Sequence, residues 1–207
     1  MLRHSGAQCF GIKLDAEHGL LTRMAHLLLV LRMAARLEAP LTVRFACLCH
    51  DLGKGTTPVE VLPRHIGHEQ RSARLAMAVC DRWKVPTDCL ELADVVAREH
   101  GNVHLSGSLD ASAVMRLLER CDAMRRPDRF RELLLACECD ARGRLNKEDE
   151  PYPQRPRLQT AMEAALGADT AAVASHAIAR GLSGPAIGAA VHAARVHAVA
   201  ASLSDAA

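Results

Sequence analysis

From Leu20 onward, apolar residues recur at helical spacing: Met24, Leu27, Leu28, Leu31 and Ala35 form one stripe, with Arg23, Arg32 and Arg36 away from it and His26 beside it. Pro40 ends this helix, and Leu41 to Leu52 reads as the next, an apolar run carrying His50-Asp51 in its last turn. Gly53 is expected to stop that helix in a left-handed conformation, with Lys54 just beyond. The stretch from Gly53 to Gly67 is too rich in Gly and Pro for regular structure. Helices are predicted from His68 to Trp83 and from Pro86 to about His100, followed by a second polar loop, Glu99 to His104. Two more run from Ala111 to Met124, on a stripe of Val114, Leu117, Leu118 and Cys121, and from Pro127 through Phe130, Leu133, Leu134 and Cys137 to about Asp140.

No stretch alternates with period two, so the chain is expected to be all-α. The pattern divides it into a lead-in of residues 1–19, a main domain of residues 20–145, a Pro-rich linker of residues 146–157 and an alanine-rich helical tail of residues 158–207. In that tail the segment from Pro185 to Leu203 sets Ile187, Val191, Ala194 and Ala198 on one face, and His176, His192 and His197 have no acidic company in sequence.

Composition narrows the function classes. A formal charge of +2 over 207 residues gives no global attraction to nucleic acid, so any basic surface is local. Most of the eight cysteines fall inside apolar helical runs and no CxxC pair occurs, which points to reduced, packed thiols and away from a thiolate zinc site. With no uninterrupted apolar span of about 18 residues and no signal-peptide pattern, the expected compartment is the cytosol, without a membrane partner.

The chemistry gathers at helix ends. An imidazole and a carboxylate side by side at the end of an apolar run are costly to bury unless paired or bound to a cation. His26, His50-Asp51, His65 and His68, His100 and His104, and Asp122 offer one metal its donors, and two imidazoles with two carboxylates suit a five- or six-coordinate divalent ion such as manganese, nickel, cobalt, iron or magnesium better than structural zinc.

The order of His26, His50-Asp51 and Asp122 resembles the H…HD…D signature of HD-domain metal phosphohydrolases. More narrowly, Val43 to Gly55, Pro63 to His68, Cys121-Asp122-Ala123, Asp140 to Arg144 and the Gly184-Pro185-Ala186-Ile187-Gly188 stretch look like the C-terminal HD domain of bacterial multifunctional CCA-adding enzymes, from about residue 18 to about residue 203. The resemblance implies an HD-domain helical bundle with a C-terminal alanine-rich extension. It implies a metal-dependent phosphohydrolase for 2′,3′-cyclic phosphodiesters, 2′-phosphates and other phosphomonoesters, often with nickel preferred, acting on tRNA or RNA 3′ ends or on small nucleotides. Carried across, His26, His50, Asp51 and Asp122 would be the metal ligands, and His68 and His100 stand where a second ion finds extra ligands. Asp51, Lys54, His68 and His100 would serve catalysis, and Lys54, Arg64, His65, His104, Arg142 and Arg144 would hold substrate.

Those full-length enzymes carry a nucleotidyltransferase head before this domain, for which this chain has no room, so CCA addition by it alone is not expected. A head supplied separately and a homodimer are the partners this arrangement suggests. The alternatives are a catalytically silent tRNA-binding or dimerisation module and a hydrolase for a signalling nucleotide or dNTP.

Overall fold

A computed structural model describes residues 18–204, and nearly all of the expected lead-in lies outside them. Among the described residues there are nine α-helices and no strand: α1 (His18–Arg36), α2 (Leu41–Cys49), α3 (His68–Trp83), α4 (Thr87–His104), α5 (Ala111–Arg120), α6 (Pro127–Arg142), α7 (Gln154–Gly167), α8 (Thr170–Ala179) and α9 (Pro185–Ser204). Two compact units emerge. One comprises the chain up to His100 together with Leu135–Tyr152, and the other Gly101–Leu134 together with the chain from Pro153.

In the first unit, α1 buries Val30, Met33 and Ala34, while Met24 and Leu28 of the expected stripe are exposed. Residues 24–35 are apolar almost without interruption, so the period leaves the inward face ambiguous; the face chosen carries His26 one turn before Val30. On α2 the buried set Val43, Ala46 and Cys47 continues at helical spacing into His50. The α-helix ends at Cys49, and the chain tightens into a 3₁₀ turn over Leu52–Thr56. Gly53 is not left-handed. Its lack of a side chain serves a close approach instead, because a Cβ there would lie 2.2 Å from the carbonyl oxygen of His68. Left-handed backbone occurs at Gly67, φ 72°, the residue before α3.

The second polar loop expected at residues 99–104 is helix. Gly101 costs α4 about 1 kcal/mol of propensity, and the packing of Val96, Ala97 and Val103 in the interior overrides it. Conversely, α5 stops four residues earlier than its stripe suggests. Its start is capped by the Asp110 carboxylate, which accepts from the Ala113 N–H at 2.7 Å, and it breaks before a left-handed Asp122.

The second unit buries Val114, Leu117 and Leu118 of α5, Phe130, Leu133 and Leu134 of α6, and Leu158, Ala161 and Met162 of α7. Helix α9 packs on α5, α7 and α8. It is the one helix among the described residues long and apolar enough to cross a membrane by length and composition. His192, Arg195 and His197 interrupt its run, and His192 Nδ1 lies 2.8 Å from Glu119 Oε1. The seven cysteines from Cys47 to Cys139 are all buried thiols, and burial pushes that of Cys49 up to about 12.

Candidate metal centre

Six side chains of the first unit converge. His26 comes from α1, His50 and Asp51 from the end of α2, His68 from the first turn of α3, His100 from α4 and Asp140 from α6. They form two groups whose ligand atoms lie within 4.8 Å of one another: His26, His50 and Asp140, and Asp51, His68 and His100. The four rings touch edge to face in sequence, with centroids 6.1 Å apart for His26–His50, 5.4 Å for His50–His100 and 5.5 Å for His68–His100.

Each imidazole is oriented in the same way. Nδ1 of His26 meets the Gly143 carbonyl at 3.1 Å, that of His50 the Cys47 carbonyl at 2.8 Å, that of His68 the His65 carbonyl at 2.9 Å and that of His100 the Val96 carbonyl at 3.0 Å. A carbonyl only accepts, so all four Nδ1 atoms donate and every Nε2 keeps its lone pair for the centre. There Nε2 of His26 lies 3.0 Å and that of His50 3.6 Å from Asp140 Oδ1; Nε2 of His68 and of His100 lie 3.4 Å and 3.7 Å from Asp51 Oδ1. The buried His50 Nε2, His68 Nε2 and Asp51 Oδ1 make no hydrogen bond. Lone pairs and carboxylates aimed at one another, with the outer nitrogen of each ring fixed on backbone, are the donor arrangement a divalent cation requires.

The electrostatics agree. Burial alone would depress the His50 imidazole, but contact with Asp140 and Asp51 outweighs it and raises the group to about 10. Burial would raise Asp51, yet the neighbouring His50 and His68 imidazoles and the charge of Lys54 hold it well below the usual carboxylate range. Without a cation, His50 holds a proton against the carboxylates of Asp51 and Asp140.

A cavity of about 540 Å³ opens on this centre. It is lined by His26, His50 and Asp51, by Lys54, His65 and Arg144, and by leucines of α1 and α2. Lys54 Nζ donates to Asp51 Oδ2 at 2.6 Å, and His65 Nδ1 lies 2.7 Å from Thr57 Oγ1.

Four expected residues are absent from the donor groups and from the cavity lining. Asp122 is absent from both donor groups and faces Arg125 and Arg126 at 3.8 and 3.9 Å; the carboxylate beside His26 and His50 is Asp140. The physical reason is the early end of α5, which turns Asp122 into a left-handed surface position, whereas α6 continues past Asp140 with its apolar face inward. Arg142 is committed to structure, donating to the Glu148 carbonyl through two nitrogens and to Glu138. His104 belongs to the second unit, where its carbonyl accepts from Gln154 Nε2. Arg64 is exposed and does not line the cavity.

Sequence reasoning also missed Arg71. Its guanidinium donates to the Gly53 carbonyl at 3.1 Å, the Ile66 carbonyl at 2.9 Å and Thr57 Oγ1 at 3.0 Å, while the Ser72 hydroxyl accepts from the Gly53 N–H at 2.9 Å. Together they hold both ends of the Gly-Pro-rich loop. Their only sequence signal was a position one turn into α3, facing back over that loop.

The family model described as HD domain matches residues 23–141. The protein named Multifunctional CCA protein of Acidovorax sp. (strain JS42) is 68% identical over 175 residues, 84% of this chain and 41% of its own. Its namesakes from Variovorax paradoxus (strain S110) and Verminephrobacter eiseniae (strain EF01-2) are 61% identical over 187 residues and 59% over 192, covering 90% and 92% of this chain and 45% and 46% of theirs. The chain thus spans less than half the length of these curated relatives and matches their C-terminal part. No solved structure matches. With the matched segment reaching from α1 to Asp140, and so enclosing all six converging side chains, the chain belongs to the HD-domain family.

Proposed function

We propose that this chain is a metal-dependent phosphohydrolase cleaving 2′,3′-cyclic phosphodiesters, 2′-phosphates and other phosphomonoesters, on small nucleotides or at RNA 3′ ends. The observation that carries the reading is the common tautomer of four histidines, whose Nε2 lone pairs meet Asp51 and Asp140 at the head of a cavity bearing Lys54, His65 and Arg144.

His26, His50, Asp51 and Asp140 would hold one divalent ion, and His68 and His100 with Asp51 offer a place for a second. Such an ion, nickel, manganese, cobalt or magnesium, supplies Lewis acidity that brings water toward ionisation near neutral pH and offsets phosphate charge. The chain's own cations do the rest. Arg144 and Lys54 attract and orient the phosphoryl oxygens, with Lys54 kept in place by Asp51. His65, fixed by Thr57, is positioned in the cavity to give a proton to the oxygen that departs as the P–O bond to the ribose breaks.

Similarity to proteins named Multifunctional CCA protein supports RNA 3′ ends, tRNA above all, as substrates, with the cytosol as the compartment. The reading covers the part of those relatives that this chain matches.

The test is hydrolysis of 2′,3′-cyclic AMP by metal-stripped protein resupplied with nickel, cobalt, manganese or magnesium, beside Asp51→Ala. Turnover restored by metal in the parent and absent in the variant is the expected result. A folded parent inert with every ion refutes the hydrolase reading for this substrate.

A further inference from the structure

The turn that follows α6 supplies the metal centre twice. Gly143 gives the carbonyl, 3.1 Å from His26 Nδ1, that orients the ring, and Arg144 lines the cavity. The turn has little packing of its own to keep it in place. Arg144, Leu145, Asn146 and Lys147 are all exposed, and among the described residues the Arg144 guanidinium makes no hydrogen bond or ion pair. Inside the turn the Lys147 N–H bonds the Arg144 carbonyl at 3.0 Å. A segment with so few buried side chains opens easily unless its ends are held.

The far end is held by Arg142, the last residue of α6. Its Nε and Nη2 donate to the same Glu148 carbonyl at 3.0 and 2.7 Å, and its Nη1 donates to Glu138 Oε1 at 2.7 Å. The side chains of Arg142 and Glu138 are 18% and 12% exposed, so these charge-assisted bonds are shielded from water and strong. Arg36 of α1 adds a bond from Nη2 to Asp149 Oδ1 at 2.6 Å, but that pair is 52% and 83% exposed and contributes little. Arg142 thus ties the end of the turn back to its start.

We infer that Arg142 is a positioning residue of the centre: its grip on the Glu148 carbonyl fixes the turn, and through the turn both the His26 ring and the Arg144 guanidinium. The role toward Arg144 rests on the hydrolase reading, whereas the role toward His26 rests on the donor geometry. Arg142 belongs to neither donor group and does not line the cavity at the centre, so it acts only through its neighbours.

The experiment measures the nickel dissociation constant by competition with a chelator, and KM for 2′,3′-cyclic AMP at saturating nickel. Parent, Arg142→Met, Arg144→Met and the double variant are compared, with circular dichroism to confirm the fold. Arg142→Met should weaken nickel binding about tenfold, the low end for losing a group that orients a metal ligand, and Arg144→Met should not weaken it. KM should rise in both single variants. In the double variant it should be no higher than in Arg144→Met, because Arg142 reaches the substrate through Arg144. Arg142→Lys keeps the charge facing Glu138 and offers the Glu148 carbonyl one nitrogen in place of two; it should change in the same direction, and it decides the matter if Arg142→Met does not fold. Nickel binding as tight as the parent's in a folded Arg142 variant, or KM effects that multiply in the double variant, overturns the inference. If the parent turns over with no metal, the hydrolase reading fails, and the nickel constants decide the role toward His26 separately: weaker binding in a folded Arg142 variant sustains it, and an equal constant refutes it.

Discussion

His26 Nε2 and Asp140 Oδ1 meet at 3.0 Å, joining α1 to α6 at the head of the cavity. Asp140 rather than Asp122 is therefore the fourth ligand to test. Asp140→Ala should lower metal content and turnover at least about 100-fold, the upper range for disturbing a metal ligand's environment. Asp122→Asn, which keeps a residue tolerant of left-handed backbone, should retain its metal. Elemental analysis of the two purified variants checks this, and the opposite pattern would return the role to Asp122.

The metal-free protein should have a characteristic pH profile. His50 is raised from 6.5 to about 10, so its stabilising contribution is complete below about pH 6.5 and is lost as pH climbs toward 10. Asp51 is depressed from 3.8, so its contribution is complete above that value and is lost as pH falls below it. Thermal melts of metal-stripped protein should plateau between these limits and decline on either side. A melting temperature rising from pH 6.5 to 9 would contradict the assignment.

Arg71 ties three points of the Gly53–Ile66 segment to α3. Arg71→Met should destabilise the protein by about 1–3 kcal/mol, because it takes a charged donor from the part-buried Gly53 carbonyl and Thr57 hydroxyl. It should also expose the segment to proteolysis and lower kcat through Lys54 and His65. Limited proteolysis read by mass spectrometry, beside the kinetics, gives the answer; cleavage no faster than in the parent would show that the loop stands without Arg71.

Three glycines should respond differently to alanine. At Gly53 the added Cβ meets His68 O at 2.2 Å, and at Gly143 it meets Cys139 O and Val30 Cα, both at 2.6 Å, so each substitution forces backbone to move and should cost about 3 kcal/mol or more. At Gly101 nothing lies within 4 Å, and alanine should stabilise α4 by about 0.5–1 kcal/mol. Denaturant melts rank the three, and a stabilising Gly143→Ala would contradict the close approach of α1 to that residue.

The all-helical architecture and most of the donor set were legible in the residues themselves. His50-Asp51 announces itself by ending an apolar run, and His26 by standing in another. The carboxylate that completes the first donor group is harder to read because two near-identical segments compete, Cys121-Asp122-Ala123 and Cys139-Asp140-Ala141, each continuing an apolar helical stripe. Periodicity does not reveal that one helix ends at Arg120 while the other runs to Arg142. His100 reads as the edge of a loop because Gly101 follows it; burial of its neighbours on α4 outweighs that local preference. Arg71 was out of reach for another reason, since its three acceptors are two backbone carbonyls and a hydroxyl, which leave no mark in composition.

Gly143 has a consequence for how this sequence can vary. Its carbonyl fixes the His26 ring, and its bare Cα lets Val30 come against it. One backbone position thereby sets the register of α1 twice, a single helical turn apart. A residue inserted or deleted between His26 and Val30 would rotate the imidazole by about 100° while Val30 stayed seated. Length changes should therefore be forbidden in that turn, where both contacts converge on one residue.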